Sequence, residues 1–115
     1  MPKLYPYKDL FYNSADDEEI IFSVEFISDG NSGDTYVDLP GDDDKEIKRD
    51  GSANLGRAGN LKDYQIVAVS TLRNSNPNVS LIKAAYFING KKIQYHENEK
   101  GETDYPTILL KIKIT

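Results

Sequence analysis

A chain of 115 residues with 38% hydrophobic and 29% charged side chains has the composition of a globular protein and suffices for one domain with a single core. It contains no cysteine, which excludes disulfides, thiolate nucleophiles and every cysteine-ligated zinc or iron–sulfur centre, so packing alone must hold it together. Its net charge of −5 hides an asymmetry: residues 14–50 carry thirteen acidic side chains against three basic ones, whereas residues 51–115 carry nine basic against five acidic.

The N-terminal run LYPYKDLFY groups Tyr5, Tyr7, Phe11 and Tyr12 around Pro6, which has no N–H to give to a ladder. Residues 1–13 are therefore expected as an edge strand or an extended aromatic arm covering one end of the core. The segment lacks a basic stretch followed by an apolar core and a small-residue cleavage site, so no signal peptide is read and the default expectation is a soluble, cytoplasmic chain. No apolar run approaches the roughly 20 residues of a membrane helix, and membrane insertion is not expected. In NSADDEEI, Asn13 or Ser14 is placed to cap one short acidic helical turn before Ile20 begins a strand.

Period-two alternation then governs the chain. In IIFSVEFI it puts Ile20, Phe22, Val24 and Phe26 on one face; in DTYVDL it sets Thr35, Val37 and Leu39 against Tyr36 and Asp38. YQIVAVSTL and SLIKAAYFIN are apolar on both faces and read as central strands, joined through the turn-rich NSNPNV as a hairpin. Asn89-Gly90 between YFI and KKIQY is the signature of a type I′ turn, so segments 64–72, 80–89 and 91–95 are expected as a meander. In TILLKIKIT, Ile108, Leu110, Ile112 and Ile114 share a face opposite Leu109, Lys111 and Lys113. Seven or eight strands and at most one short helical turn predict an all-β fold: an antiparallel β-sandwich, immunoglobulin-like or jelly-roll-like, forming a single domain over 1–115.

Two clusters carry candidate chemistry. SDGNSGD offers Asp29, Asn31 and Asp34, and GDDD offers Asp42, Asp43 and Asp44. If both loops lie at one end of a sandwich, they supply six oxygen ligands to calcium, the one cofactor the residues suggest. The EF-hand pattern fails, since Gly33 stands at the third ligand position and no closing glutamate follows, and a solvated hairpin explains Gly30, Gly33 and Asp34 equally well. The second cluster joins Asp16, Asp17, Glu18 and Glu19 to Asp42, Asp43 and Asp44 as a face for a protein partner or for self-association. Lys83, Lys91, Lys92, Lys111 and Lys113 would then form a basic pole at the opposite end, or simply protect strand edges.

Other chemistries find little support. Gly56-Arg57-Ala58-Gly59 has the GxxG form of a nucleic-acid clamp, but an isoelectric point near 4.8 opposes phosphate binding and no nucleic-acid partner is expected. There Gly56 and Gly59 are read as positive-φ turns between two core anchors, Leu55 and Leu61. The one histidine, His96, falls in HENEKGE, read as a polar loop open to water, and HENEK is not the HExxH zinc motif. A small hydrolase using paired carboxylates needs a cleft that a sandwich of this size seldom provides. Tyr36, Tyr95 and Tyr105 are the candidate stacking platform for a carbohydrate, although the chain has no tryptophan.

Leu55-Gly56, Leu61-Lys62 and Asn76-Pro77-Asn78, in a run ending in FING, resemble a pattern found in small uncharacterised bacterial all-β sandwich proteins. The resemblance covers about a third of the chain. It implies an immunoglobulin-like or jelly-roll-like sandwich and brings no function or site residues. The residues together favour a non-catalytic binding or assembly module that uses its acidic loops, with calcium-dependent binding, carbohydrate binding and hydrolysis as successively weaker alternatives.

Overall fold

The alternating segments become strands in the computed structural model, which describes residues 2–39 and 44–115. Their order is β1 (Pro2–Tyr12), β2 (Glu19–Phe26), β3 (Asn31–Asp38), β4 (Lys45–Lys48), β5 (Gly51–Arg57), α1 (Ala58–Leu61), β6 (Gln65–Asn74), β7 (Leu81–Ile88), β8 (Lys91–Glu99) and β9 (Tyr105–Ile114). They form a five-stranded sheet, β1-β9-β6-β3-β4, and a four-stranded sheet, β5-β2-β7-β8. The core lies between them and holds the side chains that the alternation singled out: Ile20, Phe22, Val24 and Phe26 from β2, Val37 from β3, and Ile108, Leu110, Ile112 and Ile114 from β9. Leu55 and Leu61 are buried, as their flanking glycines suggest. Phe22 stacks on Tyr86 with ring centroids 6.1 Å apart, and Thr35 avoids an orphaned hydroxyl by bonding Ser70 at 2.6 Å across the β3–β6 pair.

Several expectations need correction. Nine strands, not seven or eight, are present among the described residues, because KEIK pairs with β3 as β4 and GSANLGR pairs with β2 as β5. The largest change concerns NSNPNV. Both edges of β6 are taken, by β3 and β9, while β7 pairs with β2 and β8. The segment is therefore an arch between sheets and not a hairpin, and the expected meander reduces to β7–β8. Local chemistry turns the chain out of the sheet: Asn74 Oδ1 accepts from Asn76 N at 3.0 Å, and Asn76 Oδ1 accepts from Asn78 N at 3.0 Å. The β7–β8 turn is as predicted, with Asn89 at φ 51° and Gly90 at φ 82°.

The sandwich is not wholly antiparallel. β1 is the expected edge strand, yet it runs parallel to β9. Its end is tied by Ser14 N donating to Thr115 O and Thr115 N to Tyr12 O, each at 2.8 Å. Among the described residues the single helical turn is α1, in the AGNL segment, whereas NSADDEEI makes only a tight turn at Asp16 and Asp17. The two loops dock on each other: Ala58 N donates to Glu18 O at 2.8 Å and Gly59 N to Asp16 O at 2.9 Å. Gly56 has the expected positive φ of 107°, whereas Gly59 is helical and is small for packing reasons, since a Cβ there would stand 3.1 Å from Asp16 O.

Candidate functional site

The strand directions decide which candidate residues meet. β3 carries Asn31 at one end of the sandwich and Asp38 at the other, opposite Asn74 and Val67 of β6 respectively. Seven steps of strand separate them, about 23 Å. Asp29 and Asn31 therefore lie at one end, while the loop containing Asp44 leaves the other. Of the proposed calcium ligands that are described, Asp29 and Asn31 do not share a site with Asp44, and Asp34, on β3 opposite Thr71, belongs to neither loop. Asp42 and Asp43 lie outside the described residues. Among the described residues no group of three or more His, Asp or Glu side chains is arranged to hold a metal ion.

The second candidate cluster is better served. Asp16, Asp17, Glu18 and Glu19 are exposed at the same end as Asp38 and Asp44. There the Asp38 carboxyl is raised from its ordinary range, first by hydrogen bonding with the Asp44 carboxyl and then by its charge. Asp44 is held in place because its Oδ1 accepts from Leu39 N at 3.0 Å. Charge separation into poles does not occur. Lys62 pairs with Asp16 at 2.6 Å, and the Gln65↔Lys113 and Ile88↔Lys91 registers put Lys91, Lys92, Lys111 and Lys113 at this end too; only Lys83 lies toward the other.

The opposite end holds a polar recess of about 450 Å³ lined by residues 26–31 with Arg49 and Asp50. Its acids are already engaged: Asp50 Oδ1 accepts from Phe26 N at 2.7 Å and Asp29 Oδ2 from Asn76 Nδ2 at 3.2 Å. Asn31 is buried and turned inward, its Oδ1 accepting from Asn74 Nδ2 at 2.6 Å and its Nδ2 donating to Lys83 O at 3.2 Å. With the Arg49 guanidinium beside them, these groups make a mixed-charge recess rather than a cation cage.

His96 was misread from sequence. It sits on β8, fully buried against the edge strand β1, with Tyr5 edge-on at 4.7 Å. Asn98 Nδ2 donates to Glu99 O at 2.9 Å and Thr103 O at 3.1 Å, which leaves its Oδ1 to accept from His96 Nε2 at 2.7 Å. His96 Nδ1 is then the acceptor for the Tyr7 hydroxyl at 2.7 Å. Both ring nitrogens are satisfied by the neutral imidazole, and burial holds its pKa below the ordinary histidine value. The Tyr5 phenol beside it is pushed up to about 12, by burial first and the Glu102 carboxylate second. One sequence signal foretold this: HENE alternates polar side chains with period two directly after KKIQY, so His96 and Asn98 fall on the inward face. Buried without access, the imidazole orders the β1–β8 seam.

The tyrosine platform does not assemble. Tyr36 lies on the outer face of the five-stranded sheet beside Glu46, Tyr95 on the outer face of the four-stranded sheet bonded to Glu97, and Tyr105 under Arg73 at the start of β9. No helix among the described residues is long and apolar enough to cross a membrane. No protein-family model matches the chain, and no curated protein or solved structure matches it.

Proposed function

We propose that the chain is a non-catalytic binding or assembly module, and that its acidic end is the contact surface for a basic protein partner. The observation that carries this is the convergence of the Asp16–Glu19 loop with the Asp38 and Asp44 pair at one end of the sandwich, where two like-charged carboxyls face each other. Such a pair is repulsive when both are ionised, and an approaching cation relieves the repulsion. Strand order supports an immunoglobulin-like variety of sandwich. β3, β6 and β9 follow the C, F and G strands of that fold and β2 and β5 its B and E strands, with β7–β8 as an inserted hairpin.

The test is NMR titration of the protein with a synthetic oligolysine peptide at low and near-physiological salt. Shifts confined to 14–19 and 38–45, fading with salt and lost in a variant with Asp42, Asp43 and Asp44 all changed to Asn, are expected. Asparagine keeps the oxygen that caps Leu39 N, so folding is unaffected. Shifts scattered over the surface, or unchanged in the variant, would sink the proposal. Calcium is the competing occupant of the same carboxyls, and saturable shifts with calcium alone would replace the protein partner by the metal.

A further inference from the structure

We infer that the outer face of the five-stranded sheet is the interface of a twofold homodimer, with the dimer axis running along β6. This surface adjoins the acidic end at Asp38 but does not rest on the function proposed for that end.

The sheet has five strands and β6 is the middle one. The residue pairings order its outward side chains into rows. One row reads Pro6, Leu109, Val69, Tyr36 and Glu46 from β1 across to β4. The next row toward the acidic end reads Lys111, Val67 and Asp38. On the other side lies the row Leu4, Thr107, Thr71, Asp34 and Lys48. An apolar band therefore crosses the sheet at mid-height, with Tyr36 55% exposed, and Leu4, 56% exposed, stands beside it at the edge of the next row. The four-stranded sheet offers no such band: its corresponding outward rows are Glu25, Ala85, Tyr95 and then Lys83, Glu97.

A second copy fits this band better than another partner because the rows are complementary to their own reflection. A twofold axis along β6 exchanges β9 with β3 and β1 with β4. Val67 and Val69 then meet their own copies, Tyr36 meets Leu109, and Asp38 meets Lys111 with the opposite charge, twice per dimer. The Leu4 side chain meets the aliphatic stem of Lys48, and Asp34 meets the Thr107 hydroxyl. None of these three rows brings like charges together, and the one like-charge approach on the axis is Arg73 with its own copy, at the end of β6 beyond them. Five strands about 4.8 Å apart and three outward rows about 6.6 Å apart present roughly 480 Å² per copy. The total of about 1,000 Å² is that of a weak interface, so a dimer with a Kd of roughly 100 μM is expected.

Sedimentation velocity from about 1 to about 500 μM protein tests the inference. A monomer–dimer equilibrium is expected for the wild type, shifted to monomer by Val69→Lys and by Tyr36→Lys. The latter is fully tolerable to the fold, and circular dichroism verifies both. Tyr95→Lys, on the other sheet, is expected to leave dimerisation unchanged. Asp38→Lys and Lys111→Asp should each weaken association about tenfold, and the double swap should restore it. A wild type that stays monomeric throughout, a dimer insensitive to Val69→Lys and Tyr36→Lys, or a dimer lost in Tyr95→Lys would overturn the assignment. Failure of the double swap to recover affinity would overturn the placement of the axis.

Discussion

Replacing Tyr86 by phenylalanine should make the protein more stable. Tyr86 lies on β7 fully buried and stacked on Phe22, and its hydroxyl has no hydrogen-bond partner. The nearby Ser70 hydroxyl, the one group that eases its ionisation, bonds Thr35 at 2.6 Å and not Tyr86. Burial pushes the phenol well above its ordinary range, so the group is a neutral, desolvated O–H at all accessible pH. An unsatisfied buried polar group costs about 1–3 kcal/mol, and removing one oxygen while keeping the ring gives back some of this as a small void. A net gain of about 1 kcal/mol follows, which raises Tm by about 4 °C for a domain of this size. Urea unfolding followed by fluorescence or circular dichroism measures it as a higher midpoint with unchanged slope. The cause is isolated by a cycle with Ser70→Ala: since Ser70 does not bond Tyr86, the stabilisation by Tyr86→Phe should be the same in that background as in the wild type. A loss of about 1 kcal/mol or more in Tyr86→Phe alone would refute the reasoning and show that the hydroxyl is bonded in solution.

Acid should destabilise the fold through His96, whose folded pKa lies below its unfolded value of about 6.5. The unfolded chain takes up the proton first, so the contribution is fully present above about pH 6.5 and is lost as pH falls through the folded pKa. Urea midpoints between about pH 8 and 5 should fall for the wild type and stay level over that window for His96→Gln, and parallel curves would contradict the assignment. At Gly33, with φ 146°, an added Cβ would stand 1.9 Å from Thr71 O, so Gly33→Ala must push β3 off β6. It should cost at least about 2 kcal/mol by urea unfolding, and a neutral effect would show that this pair tolerates a bulge. Asn89 combines a positive φ with two bonds, accepting from Ile21 N at 2.8 Å and donating to Glu19 O at 3.0 Å. Asn89→Ala should therefore lose about 2 kcal/mol, measurably more than Asn89→Asp, which keeps the acceptor.

Alternation made the faces of the strands legible because burial of one face and solvation of the other are written into adjacent residues. That is why the inward residues of β2, β3 and β9, and the Asn89-Gly90 turn, could be read directly. Pairing is different, because which strand lies beside which is decided by residues far apart in sequence. The outward face of β6 is half-buried by its own sheet neighbours, Leu109 and Tyr36 among them, so apolar residues on both faces signalled a central strand correctly yet said nothing about its partners. NSNPNV looked like a hairpin because the Asx turns at Asn74 and Asn76 are the same chemistry whether the chain folds back in its own sheet or leaves it.

Where the candidate side chains lie has the same cause. Asp29 and Asp44 are separated by the whole length of β3, and strand length rather than ligand chemistry rules out their meeting. The Asp16–Glu19 loop and the Asp38–Asp44 pair, farther apart in sequence, are brought to one end because β2 starts where β3 finishes. His96 shows the converse: polarity predicted exposure, but period two placed it inward, where Tyr7 and Asn98 satisfy both nitrogens. A buried polar side chain keeps its place only when its partners come with it. Here one partner sits two residues away on the same strand and the other on the parallel edge strand, so the seam closes only when β1 is docked. Loss of the Tyr7 bond should therefore loosen β1 before the rest of the sandwich, and faster amide exchange confined to 2–12 in Tyr7→Phe is the expected signature.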